Sequence, residues 1–272
     1  MSLENLSIVV VGGGNMGGAL AGGWLRNGVR AAQITVVDPG PSPQMAKFFS
    51  DNAIQHVVSA ENITPPDVLL VAVKPQVMGE VLQSCKHLVG KHTVVISVAA
   101  GKTLSFMADV LGQCALVRAM PNTPALVQRG ITVACANARV SEGQIEQANL
   151  LLGSTGSIEW LNDESLMDAV TAVSGSGPAN VFHLTEALAN AAIATGLPEA
   201  LARKLALETV AGAGELMMRS DQSPEKLREN VTSPGGTTQA ALAVLMAEGG
   251  FPDLLKRAVD AAVKRGGELS KI

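Results

Sequence analysis

Ser7-Ile8-Val9-Val10-Val11-Gly12-Gly13-Gly14-Asn15-Met16-Gly17 decides how this chain folds. An apolar run too short for a buried helix meets three glycines, then passes into Met16, Ala19, Leu20, Trp24 and Leu25 at helical spacing. The pattern predicts a strand, a tight turn and a helix, with Gly12, Gly14 and Gly17 in G-x-G-x-x-G register. In such a turn the first glycine permits the bend, the second lets a pyrophosphate approach the backbone, and the third lets helix and strand pack closely. The phosphates then face unpaired N–H groups at the positive end of the helix. Glycine turns are common, so the context matters. A second strand, Ile34-Thr35-Val36-Val37, ends in Asp38, 21 residues after Gly17. An acid at that distance reaches the ribose hydroxyls of a dinucleotide.

Composition narrows the partners. At 272 residues the chain holds one large domain or two ordinary ones. Its 47% hydrophobic and 16% charged residues are those of a well-buried globular protein. A net charge of −4 leaves no basic surface for nucleic acid, and 3% aromatics without tyrosine leave no platform for stacking bases. The chargeless span from Asn5 to Leu25 is neither a membrane segment nor a signal peptide. Its glycines disfavour a lone helix, Glu4 precedes it in place of a basic cluster, and no cleavage-like boundary follows. Cys85, Cys114 and Cys135 are odd in number and form no CxxC, so reduced buried thiols in a cytoplasmic protein are expected, and no metal site.

Further along, Val68 to Val73 is apolar throughout, the pattern of a parallel strand covered on both faces, and stops at Lys74-Pro75-Gln76. A helix is expected from Pro75 to about Leu88. Thr93 to Val98 and Ala115 to Met120 are further strands, with a helix over Leu104 to Leu111 between them. Ile131 to Cys135 is strand-like, Ser141-x-x-Gln144 caps a helix to Leu152, and Ser157 to Leu161 ends the series. Alternating strands and helices imply a doubly wound, mostly parallel α/β sheet, with ligands beyond the carboxyl ends of its strands. From Asn162 the strand patterns vanish and helices are expected over Asp163 to Val173, Ala179 to Thr195, Glu199 to Met218 and Asp253 to Leu269. The chain therefore reads as a dinucleotide-binding domain, 1–161, and an all-helical substrate-binding and dimerisation domain, 162–272. Ala179 to Thr195 carries only Glu186 as a formal charge, so burial on several sides, within an intertwined dimer, is expected.

Several chemistries are excluded. Tyr-x-x-x-Lys catalysis has no tyrosine, and the scattered cysteines and histidines lack zinc-ligand spacing; His183, on the most apolar helix, reads as a core histidine. The turn Ser174-Gly175-Ser176-Gly177 is followed by no lysine or arginine before Arg203, so carbonyl reduction lacks its usual acid. What remains is Val231-Thr232-Ser233-Pro234-Gly235-Gly236-Thr237-Thr238-Gln239. Successive N–H groups around Gly235 and Gly236 form a carboxylate receptor, and Ser233, Thr237 and Thr238 add neutral hydroxyls. Hydroxyls without a strong acid suit a substrate already activated, such as a protonated imine, which needs positioning, a dry pocket and a hydrogen-bond partner at nitrogen.

These residues resemble the pyrroline-5-carboxylate reductase family over nearly the whole chain. The resemblance is carried by Gly12-Gly13-Gly14-Asn15-Met16-Gly17, Ala72-Val73-Lys74-Pro75-Gln76, Arg118-Ala119-Met120-Pro121-Asn122-Thr123-Pro124, Ala172 to Ala179 and, most specifically, Val231 to Thr238. It implies that Gly12, Gly14, Asn15, Met16, Gly17, Ala72, Val73, Lys74 and Pro75 line the cofactor, NADPH or NADH. It also implies that the loop from Ser233 binds the substrate carboxylate, with Thr238 near the imine nitrogen as the catalytic residue. The implied reaction transfers hydride to the C=N bond of 1-pyrroline-5-carboxylate to give proline; the implied assembly is an interlocked homodimer, with dimers often joined into rings. Two other readings stay open on the residues alone: a reductase of another cyclic imino acid, and a non-catalytic dinucleotide-sensing module. Asn180 stands where similar members often carry tyrosine. Asp38-Pro39-Gly40 lacks the basic residue that welcomes a 2′-phosphate, so local charge favours NADH while family habit leans to NADPH.

Overall fold

A computed structural model describes residues 6–269; Glu4 and Asn5, at the edge of the chargeless N-terminal span, lie outside them. The strands are β1 (Ile8–Val11), β2 (Ile34–Val37), β3 (Gln55–Val57), β4 (Val68–Val71), β5 (Val94–Ser97), β6 (Ala115–Met120), β7 (Gly130–Ala136) and β8 (Gly156–Trp160). They form one sheet in the order β3-β2-β1-β4-β5-β6-β7-β8. From β1 the chain winds one way to β2 and the other way to β4, so the crevice where strand order reverses opens at the carboxyl end of β1.

Residues of β1 alternate between two cores because successive side chains leave a strand on opposite faces. Ile8 and Val10 join Leu20 and Trp24 of α1 (Asn15–Arg26), Phe49 of α2 (Pro43–Asp51) and Leu151 of a later helix, while the indole of Trp24 donates to the Leu151 carbonyl at 2.8 Å. Val9 and Val11 join Met78 and Leu82 of α3 (Met78–Cys85) and Met107 and Leu111 of α4 (Leu104–Leu111). That later helix is α5 (Glu142–Leu152), which starts in the capping box between Ser141 and Gln144. Both faces of the sheet are covered, which is why β1, β4 and β5 are buried at every position.

The sheet departs from parallel pairing at one step. β7 runs antiparallel to β6, with Arg118 opposite Cys135. The link between them is a short connection with a 3-10 turn at Thr123–Val127, too short for the crossover a parallel partner requires. Two expected helices are also broken up. The one from Pro75 begins and ends in 3-10 turns, Pro75–Val77 and Lys86–Leu88, flanking α3. The one over Asp163 to Val173 is a 3-10 turn at Glu164–Leu166, a short α6 (Met167–Val170) and a π-helical turn at Thr171–Gly175. There the hydroxyls of Thr171 and Ser174 bond back to the carbonyls of Met167 and Val170 at 2.8 and 2.9 Å, a pattern that bends helices.

The chain divides into two compact units. One runs to Gly175 and takes back the chain from Ala262; the other is Ser176–Ala261. The second unit holds α7 (Gly177–Ala194), α8 (Glu199–Arg219), α9 (Pro224–Asn230), α10 (Thr237–Leu245) and the start of α11 (Phe251–Leu269). Within it Ala189, Ala202 and Ala206 are buried. The expected burial of Ala179 to Thr195 is not met within a single chain. Phe182 is 67% exposed, Val181, Leu184 and Leu188 are exposed too, and His183, expected in a core, faces outward 3.4 Å from Glu186. Clustered exposed apolar side chains of this kind mark an interaction surface. Among the described residues no helix is long and apolar enough to cross a membrane, and no His/Cys/Asp/Glu group is arranged for a metal.

Candidate active site

The glycines of the β1–α1 turn are required by their neighbours. Gly12 has φ +100°, and a Cβ there would lie 2.6 Å from the Ala72 carbonyl oxygen. A Cβ on Gly17 would collide with the Gly12 carbonyl oxygen, so that glycine keeps α1 against β1. Gly14 caps α1 and has nothing within 4 Å of a built Cβ, which leaves open space at the helix start. No side chain caps α1 and no acid occupies its first turn. An open glycine, free first-turn N–H groups and an uncompensated helix dipole fit a pyrophosphate.

The structure draws the end of β4 into the same place. The Ala72 N–H donates to the Val11 carbonyl at 2.8 Å, and Val73 Cγ1 lies 3.0 Å from a Cβ built on Gly12. Lys74 and Pro75 follow at the start of the 3-10 turn, with Lys74 exposed. Asp38 sits at the end of β2 as expected, and its carboxylate is already engaged. Oδ2 accepts the Gly13 N–H at 2.7 Å and Oδ1 accepts the Gly40 N–H at 2.9 Å. Each oxygen keeps a lone pair for a further donor, so the acid serves as a clamp on the glycine turn while remaining able to accept from a ribose. A cleft of about 580 Å³ opens here, lined by Gly12, Asp38, Glu61, Val73 and their neighbours.

In the second unit, the Ser233–Thr238 loop leads into α10, with Gly236 as its N-cap and Gly235 at φ +71°. The N–H groups of the two glycines themselves already have partners within the loop. Gly235 donates to the side-chain oxygen of Gln239 at 2.6 Å, and Gly236 to the Ser233 carbonyl at 3.0 Å. The vacant donors lie one step on, in the first turn of α10, at Thr237, Thr238 and Gln239. Gly236 is also needed for the turn, since a Cβ there would lie 2.5 Å from Ser233 Oγ. Among the described residues the hydroxyls of Ser233, Thr237 and Thr238 have no protein partner, and Thr238 is half-buried.

One buried cluster escaped the sequence reading. Arg118, 4% exposed on β6, places Nη1 2.9 Å from Glu164 Oε1 and Nη2 3.7 Å from Asp168 Oδ1. Glu164 Oε1 also accepts the Leu104 N–H at 2.8 Å, so the ion pair fixes the start of α4 as well as the end of β6. The signal was present: a lone arginine inside Ala115-Leu116-Val117-Arg118-Ala119-Met120. Beside it, burial pushes the Cys135 thiol up to about 11, with Glu164 adding to the rise and Arg118 opposing it.

Two parts of the chain match two different family descriptions. Residues 164–269 match the family described as pyrroline-5-carboxylate reductase dimerisation, and residues 7–101 match that described as NADP oxidoreductase, coenzyme F420-dependent. The chain is 43% identical to a pyrroline-5-carboxylate reductase of Pseudomonas aeruginosa, covering 97% of each chain. It is 39% identical to one of Synechocystis, covering 98% of this chain and 99% of the other. Among solved structures it is similar to a pyrroline-5-carboxylate reductase from Coxiella burnetii, with TM-score 0.89 and 35% identity over 98% and 99% of the two chains. A Plasmodium falciparum pyrroline carboxylate reductase with NADP bound gives TM-score 0.85 and 30% identity over 99% and 100%.

Proposed function

The chain belongs to the pyrroline-5-carboxylate reductase family and reduces the C=N bond of 1-pyrroline-5-carboxylate to give proline, and we propose that the residues described above divide that work as follows. The nicotinamide cofactor, NADPH or NADH, supplies the hydride when bound. Gly12, Gly14, Asn15, Met16 and Gly17 receive its pyrophosphate, Asp38 accepts from its ribose, and Ala72, Val73, Lys74 and Pro75 line its nicotinamide half. Ser233, Thr237 and the first-turn N–H groups of α10 bind the substrate carboxylate, with Gly235 and Gly236 shaping the turn that presents them. The Thr238 hydroxyl accepts a hydrogen bond from the protonated imine nitrogen and holds the ring in one orientation. No acid or base is demanded of the protein, because the imine nitrogen carries its proton beforehand.

The observation that carries this assignment is the half-buried Thr238 hydroxyl without a protein partner, beside unpaired first-turn N–H groups. Residues 1–161 serve as the cofactor domain and 162–272 as the substrate and dimerisation domain. The exposed apolar residues of α7 and α8 support an intertwined homodimer, with a ring of dimers as its larger form. The free cysteines at 85, 114 and 135 support a reducing, cytoplasmic setting. The test is loss of nicotinamide absorbance when purified protein meets the cyclic imine, run beside a six-membered homologue. Oxidation of neither NADH nor NADPH with either ring would refute the proposal.

A further inference from the structure

We infer that the cleft at the ends of β1 and β2 is built for a free ribose 2′-hydroxyl, so that this enzyme selects NADH over NADPH; this rests on the cofactor placement proposed above. The cleft is lined by Gly12, Asp38, Val58, Glu61, Val77 and others, and its two charged lining residues are both acids. No lysine or arginine lines it. Lys47, the one cation on the neighbouring helix α2, lies outside the cleft lining and pairs with Asp51 at its surface, Nζ to Oδ2 2.8 Å.

Asp38 cannot readily turn aside. Backbone N–H groups from two different segments, Gly13 and Gly40, grip one carboxylate oxygen each, at 2.7 and 2.9 Å. Moving the carboxylate away would strand both donors and release the glycine turn itself. The His56 ring also reaches the Asp38 carbonyl, Nε2 to O 2.8 Å, and stacks on Phe49, so the backbone at this position is braced from below. A 2′-hydroxyl donates to such a fixed acceptor. A 2′-phosphate brings about −1.5 to −2 of charge and no donor matched to a carboxylate. It would bring that charge into a cleft whose lining carries the half-buried Asp38 and the exposed Glu61, and like charges repel, more strongly beside the half-buried one.

The test is titration of the intact protein with NADH, NADPH, 5′-AMP and 2′,5′-ADP, by calorimetry or nicotinamide fluorescence, beside steady-state kcat/KM for both reduced cofactors. The expected result is at least tenfold tighter binding of NADH than NADPH, with 5′-AMP ahead of 2′,5′-ADP. Asp38→Asn, which keeps an oxygen for the Gly13 N–H, and Glu61→Gln, on an exposed residue, are each expected to narrow the ratio at least threefold. Equal or tighter binding of NADPH and 2′,5′-ADP overturns the inference and leaves the reductase assignment standing. An unchanged ratio in both variants overturns the assignment to these carboxylates, and failure of every nucleotide to bind overturns the cofactor site with it.

Discussion

Thr238→Ala separates catalysis from folding at one position. Thr238 is the second residue of α10, whose N-cap is Gly236, so the substitution removes no cap and no protein hydrogen bond. Alanine is the better helix former by up to about 0.7 kcal/mol, so thermal stability is expected to hold or rise slightly. In the proposed assignment the hydroxyl's partner is a charged imine nitrogen, and hydrogen bonds to charged groups contribute about 1.5–3 kcal/mol. Loss of that interaction predicts a fall in kcat of about 10- to 150-fold. Thr238→Ser keeps the oxygen and should retain most of the turnover. The assay is steady-state and single-turnover absorbance with saturating cofactor and imine, alongside melting curves and cofactor titration. A kcat within twofold of the parent refutes the role of the hydroxyl. A melting temperature that falls in step with kcat refutes the claim that the effect is chemical.

Gly17→Ala is expected to weaken cofactor binding at least tenfold, because the new Cβ meets the Gly12 carbonyl oxygen and drives α1 off the turn. Its stability loss, about 1–3 kcal/mol of overpacking offset by about 1 kcal/mol of helix propensity, is readable in a urea melt. Arg118→Met leaves Glu164 and Asp168, each 27% exposed, without their cation; about 2–3 kcal/mol of destabilisation is expected after allowing for that hydration. Adding Glu164→Gln should recover part of the loss in a double-mutant cycle. The Cys135 thiol is raised from 9.0 to about 11 in the folded state, so the folded protein holds the proton more tightly. Its contribution to stability is complete below pH 9 and fades as pH rises towards 11, and Cys135→Ala should flatten that slope in denaturant melts across the range.

Much of the first unit was legible because its signals are local. Four-residue apolar runs flanked by glycine and proline read as buried strands, and Ser141 with Gln144 read as a cap, from spacing alone. What escaped was set by chain length and by distant neighbours. The antiparallel turn into β7 depends on a link too short for a crossover, and the breakup of the 163–175 segment depends on hydroxyls bonding back to carbonyls. Asp38 was found by its distance from Gly17, but its grip on the Gly13 N–H joins residues 25 apart, and no periodicity reports such a pair. At the substrate loop the residue types pointed to an anion receptor. Which N–H groups stay vacant was decided by the Gln239 side chain folding back onto Gly235.

By itself the sequence determined the class of chemistry, reduction of a C=N bond with a nicotinamide cofactor, and it pointed to a glycine turn for the dinucleotide and a hydroxyl loop proposed for the carboxylate. Those features are written in residue types and short spacings, and local sterics and hydrogen-bonding capacity suffice to read them. Tertiary structure decided which of the groups are free to act. A donor or carboxylate is available to a ligand only if no neighbour brought in by folding has already satisfied it, and that depends on packing between segments far apart in the chain.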